Sequence, residues 1–176
     1  MSTMKSIAAA CMAAAGTLAA ASASAATLQV YSGGSWSTSG TASIAGPTTA
    51  SPVGNPVPCN ATFTLTLTSG SAAVTGATFS GSAACTAITT NLSTTTWPVT
   101  VTGTSGTSAN ITISGISLHF TSPNTTCTGS ISGVLANANP NSGLVNNSFT
   151  FSGSLGACTN VKSNPSTTST KPIQYQ

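Results

Sequence analysis

No aspartate or glutamate occurs among the 176 residues, and three lysines and one histidine are the whole basic complement. The missing carboxylates exclude several kinds of chemistry. There is no pair of acids for glycoside hydrolysis, no carboxylate to hold Mg²⁺ or Ca²⁺, and no acid to complete a Ser-His-Asp triad. So few cations cannot neutralise a run of phosphates, so nucleic acid is not an expected partner. Neither a metal nor a cofactor is expected, and the chain is read as a non-enzyme. What is plentiful is Ser and Thr, 62 of the 176 residues, beside 17 Gly and 9 Pro. That richness alone suggests disorder. However, disorder pairs low hydrophobicity with high net charge, and this chain is 39% hydrophobic and nearly uncharged. The length suits one domain, two at most.

Residues 1–25 have the pattern of an export signal. Lys5 supplies the positive start, Ile7 to Ala20 form a short apolar stretch rich in Ala, and Ala23-Ser24-Ala25 is a small-x-small cleavage site. The stretch is too short and too poor in Leu for a stable membrane span, and Cys11 lies inside it, not after the cleavage point as a lipoprotein would need. The reading is therefore an exported protein with no transmembrane segment after cleavage. Four cysteines then remain, Cys59, Cys85, Cys127 and Cys158. An even count in an exported chain favours disulfides, and the C-x-x-C spacing of a zinc site is missing.

Four cysteines allow three pairings, and an internal repeat chooses among them. Phe79-Ser80-Gly81-Ser82-Ala83-Ala84-Cys85-Thr86 matches Phe151-Ser152-Gly153-Ser154-Leu155-Gly156-Ala157-Cys158-Thr159 with one insertion. Each copy follows another cysteine by roughly one hairpin length. One unit used twice, each tying the open ends of a hairpin, gives Cys59–Cys85 and Cys127–Cys158.

Alternation of period two marks strands. In Ala61-Thr62-Phe63-Thr64-Leu65-Thr66-Leu67-Thr68 the apolar residues share one face and Thr the other. Val99-Thr100-Val101-Thr102, Ile111-Thr112-Ile113-Ser114 and Phe149-Thr150-Phe151-Ser152 repeat this, and Ile116 to Phe120 resume it past a bulge at Gly115. Ser69-Gly70-Ser71 and the stretch from Gly103 to Thr107 read as hairpin turns. No helical period stands out. The expected fold is all-β, an antiparallel sandwich or barrel-like domain with two disulfide-tied hairpins. Residues 59–160 form that domain. Residues 26–58 are a Gly/Ser/Pro-rich segment of one or two strands at most, irregular from Gly46 to Pro58 because Pro cannot donate to a ladder. Residues 161–176 are expected to be a flexible tail.

His119 falls on the face opposite Leu118 and Phe120, so a surface position is expected, and no nucleophile motif or acid stands with it. Tyr31, Trp36 and Trp97 are the candidates for apolar contact with a ligand or partner, with core packing the stronger reading for Trp97. Thr, Ser and Asn stand on the polar faces where Lys and Glu would be usual. Such a surface lacks the edge charges that discourage association, so self-association is expected.

The order of these features resembles the PraB-type protein activator of alkane oxidation family of Gram-negative bacteria. The residues that carry the likeness are Cys59-Asn60-Ala61-Thr62, Gly76 to Ser82, Cys85, Trp97 to Val101, Cys127 to Gly133, and Phe149 to Cys158. The resemblance implies an extracellular or cell-surface protein associated with growth on alkanes and with biofilm or extracellular matrix, and it brings no catalytic residues. Two functions compete. One is a surface protein that promotes hydrocarbon use at the cell–hydrocarbon interface, with hydrocarbon or cell-surface and matrix components as partners. The other is a structural subunit of a fibre or matrix assembled by strand pairing, residues 26–58 serving as a donated strand.

Overall fold

The structure is a computed structural model that describes residues 26–139, 141 and 143–176, so the expected export signal lies outside the described residues. Among the described residues there are thirteen strands: β1 (Leu28–Ser32), β2 (Ser35–Ser37), β3 (Gly40–Pro52), β4 (Val57–Thr68), β5 (Ser71–Ser80), β6 (Thr89–Thr90), β7 (Trp97–Ser105), β8 (Ser108–Phe120), β9 (Thr125–Leu135), β10 (Ser148–Leu155), β11 (Cys158–Ser163), β12 (Thr167–Ser169) and β13 (Ile173–Tyr175). A one-turn helix, α1 (Ala83–Thr86), stands between β5 and β6.

Eight of the strands run up and down in chain order as β3, β4, β5, β7, β8, β9, β10 and β11, every pair antiparallel, and β11 returns to pair with β3. The expected all-β fold is thus a closed barrel and not a sandwich. Closure follows from the alternation. Each strand has one apolar face, and rolling the sheet turns all of these faces onto one axis. Leu65 and Leu67 of β4, Val74 of β5, Val99 of β7, Ile111 of β8 and Phe149 of β10 meet there. The bulge at Gly115 is present at φ +70°. It shifts the phase so that Ile116, Leu118 and Phe120 point inward like Ile111 before them. Ser69 and Gly70, both at positive φ, make the tight β4–β5 turn. On the outer face hydroxyls pair across strands, Thr112 with Ser132 at 2.8 Å and Thr66 with Thr75 at 2.8 Å, and Thr100 and Thr102 bond β8 carbonyls.

Both disulfides form as the repeat requires, with Cα–Cα distances of 5.6 Å for Cys59–Cys85 and 5.4 Å for Cys127–Cys158. Each ties the open end of a hairpin, β4–β5 or β9–β10, and both ends lie on the same rim of the barrel. The two copies then diverge. After Cys158 the chain enters β11 directly, whereas Cys85 sits in α1 and the chain continues into residues 86–96 before reaching β7. Intact mass of the exported protein is expected to be four hydrogens below that of the fully reduced chain. A peptide map linking Cys59 to Cys127 would overturn the pairing.

Two stretches correct the reading of the sequence. Residues 46–52 and 57–58 are strand and not irregular, and only the turn 53–56 between them departs from the ladder. β3 and β4 stay in register through Pro47↔Asn60 and Thr49↔Pro58. The Pro47 carbonyl accepts from the Asn164 amide at 2.8 Å. A strand residue's N and C=O share a side, so the donor that Pro47 lacks falls where the chain passes from β11 to β12. Pro52 ends β3, and Pro58 precedes the start of β4–β5 pairing at Asn60↔Ser80. With β1, β2, β3 and the start of β4 in residues 26–58, and β3 paired on both sides within the chain, that segment is not free to be donated.

Nor is the stretch after residue 160 a loose tail. It supplies β11, β12 and β13, with Thr167, Ser169, Ile173 and Gln174 buried. Short hydroxyl side chains serve the sheet here: Thr167 donates to the Phe149 carbonyl at 3.1 Å, and Ser169 accepts from the Asn147 amide at 2.9 Å. Asn147, itself buried, accepts from the Ile173 amide at 2.6 Å and donates to the Ile173 and Ala136 carbonyls. β13 in turn pairs with β1, and the sheet β13-β1-β2 closes the barrel end opposite the disulfides, with Leu28 and Val30 pointing in.

Candidate functional site

Packing of these inward faces leaves the barrel incompletely filled. Beneath the disulfide rim lies an apolar void with about 630 Å³ of atom-free space, its opening included, of which about 60 Å³ can hold the centre of a water molecule. Phe63, Phe79, Ile88, Trp97, Phe151 and Leu155 are among its walls, and Thr48 and Thr49 are the polar residues among them. Phe79 and Phe151 hold the same place in the two repeat copies, and both face the void. A second, smaller apolar void lies nearer the closed end, between Leu28, Ile44, Val74 and Leu135. Phe63, Ile113 and Phe149 line both and separate them.

The wall of the upper void has a seam. β7 pairs with β5 only from Ala72 to Val74, so the far half of β5 has β4 as its one strand neighbour. Residues 81–96 cover the opening. They are held by Cys85 on Cys59, by β6 pairing with β8 at Leu118 and His119, and by the Asn91 side chain, which donates to the Gly115 carbonyl at 3.3 Å. Ile88 and Leu92 of this cover pack on the core.

Trp97 is 2% exposed and lines the upper void, with its Nε1–H donating to Asn91 Oδ1 at 2.7 Å. It belongs to the core, and a surface contact by Trp97 is ruled out. Tyr31 and Trp36 are half-buried partners across β1–β2, their rings edge to face at 5.4 Å, at the opposite end of the barrel. The structure therefore does not bring the three aromatics together. His119 lies on the outer face, its Nδ1 3.1 Å from Thr126 Oγ1. The described lysines, Lys162 and Lys171, stand away from both voids. Alternation in the sequence marks the inward residues, but not the space left between them. That space depends on strands far apart in the chain.

The family model described as alkane oxidation protein activator PraA/PraB-like matches residues 1–175. No curated protein and no solved structure matches the chain.

Proposed function

The chain belongs to the alkane oxidation protein activator PraA/PraB-like family, and on that premise we propose that it is an exported, non-enzymatic protein that promotes alkane use by acting where cells meet hydrocarbon. The observation that carries this reading is the barrel's exterior. Its outward ladder positions are mostly Thr, Ser and Asn, and the Thr and Ser hydroxyls bond one another and nearby carbonyls. A neutral surface with satisfied hydroxyls costs far less to bring against oil than a charged one. Exposed Val53, Val134, Leu144 and Val145 add apolar contacts at the rims and loops. Two disulfides suit an oxidising compartment outside the cytoplasm, and among the described residues no helix is long and apolar enough to cross a membrane.

The test is pendant-drop tension at a hexadecane–water surface, with the folded protein and a reduced, alkylated control. The folded protein should lower the tension markedly more than the control. A response no larger than that of an ordinary soluble protein would remove the interface reading.

A further inference from the structure

The upper void stands on the barrel's interior, whereas the interface reading stands on its exterior, so the two can fail separately. Well-packed interiors leave few spaces larger than a water molecule, and an eight-stranded barrel is the size that side chains can just fill or that can hold one small ligand. Here glycines thin one wall. A Cβ on Gly133 would lie 2.5 Å from Phe149 Cε2, and one on Gly153 2.8 Å from Ile131 Cδ1. The Phe149 ring, which lines the void, therefore lies over Gly133 where a Cβ would displace it. The void has little to offer water. Of the two threonines in its wall, Thr48 already donates its hydroxyl to the Cys59 carbonyl at 3.2 Å. Apolar voids of this kind stay dry and take apolar guests. An apolar cavity of about 150 Å³ takes the six carbons of benzene, so about 60 Å³ seats roughly two or three carbon-sized groups, the end of a chain and not its whole length.

The charge pattern narrows the guest further. No Lys or His lines the void, the rim stretches 53–56, 121–124 and 156–157 and the cover 81–96 carry none, and His119, beside the seam on β8, lies on the outer face. A carboxylate head would find no cation at either depth, and an unpaired charge is costly to bury.

We propose that this void binds the end of a single uncharged aliphatic chain, admitted at the seam between β5 and β8 beneath residues 81–96. The walls supply only dispersion and desolvation, and Trp97 is the wall residue that reports occupancy.

The experiment uses 1-bromooctane, whose bromine quenches tryptophan on contact. The exported protein has two tryptophans, Trp36 and Trp97, so Trp36→Phe leaves Trp97 alone and Trp97→Phe leaves Trp36 alone. 1-Bromooctane should quench the Trp36→Phe protein saturably at one equivalent per chain, n-octane should restore the emission, and the Trp97→Phe protein should be unaffected. 8-Bromooctanoate at pH 8 should need at least about tenfold more ligand, since the void pairs no charge. Ile88→Phe, at a half-buried position in the cover, is made in the Trp36→Phe protein; it should narrow the void and raise the half-quenching concentration of 1-bromooctane at Trp97 at least tenfold while leaving the far-ultraviolet circular dichroism unchanged. Linear, non-saturating quenching, quenching of Trp36 in place of Trp97, or equal potency of the carboxylate would each overturn the proposal. Saturable quenching of Trp97 with no effect on interfacial tension would keep the void as a site and remove the interface reading. The converse result would remove the site and keep that reading.

Discussion

Trp97→Ala should lower the stability of the barrel by about 3–5 kcal/mol, the range for deleting a large buried aromatic. Trp97 opens β7 opposite Val74, at the last rung of the β5–β7 ladder. Beyond it the seam begins. The indole fills the corner where the two strands part, and its N–H holds Asn91, which in turn holds the Gly115 carbonyl. Alanine would remove the ring from a wall that already borders a void. Little is available to collapse into the gap, which places the loss toward the upper end of the range. Trp97→Phe separates the two roles. It keeps most of the apolar volume and leaves Asn91 Oδ1 without its donor, so its loss should be about 1–3 kcal/mol. Urea unfolding followed by far-ultraviolet circular dichroism measures both. Equal losses for the two variants would show that the hydrogen bond, and not the ring, holds the seam.

The strands were legible in the sequence wherever Thr alternates with a large apolar residue, as in β4, and the bulge at Gly115 was legible from the break in that alternation. The disulfides were legible through the repeat, because two copies of one hairpin must be tied alike. Three features were not. Barrel closure depends on β11 meeting β3, a pairing between residues more than a hundred apart, and no local signal carries it. Pro47 reads as a strand breaker unless it is known that its missing donor faces a gap between two other strands. Residues 161–176 read as loose because Ser and Thr are common in loops. In a sheet the same short hydroxyls bond carbonyls and can be buried, as Thr167 and Ser169 are. The candidate site was only half legible. Phe79 and Phe151 stood out as repeat equivalents, whereas Ile88 enters the void only because Cys85 carries the cover across the seam.

The barrel should hold its fold at pH 2. Stability falls with acid when the unfolded chain binds more protons than the folded one, and paired or hydrogen-bonded carboxylates are the usual cause, each contributing up to about 2.6 kcal/mol in a case such as a salt-bridged Asp. No side chain here is a carboxylate, so that source of acid sensitivity is missing. Self-repulsion is the other cause of acid unfolding. An ordinary domain gains a large positive charge as its acids are neutralised. This chain has no acidic side chains to neutralise, and its side chains carry at most the three Lys and one His at any acid pH. The histidine is His119, on the outer face beside the Thr126 hydroxyl and away from the core. The thermal midpoint at pH 2 should stay within about 4 °C of its value at pH 7, the shift that about 1 kcal/mol produces in a domain of this size. Near-ultraviolet circular dichroism should keep its tertiary signal over the same range. Loss of that signal at pH 2 would mean that a group other than a side-chain carboxylate controls the fold, and His119 would be the first to replace, by Gln.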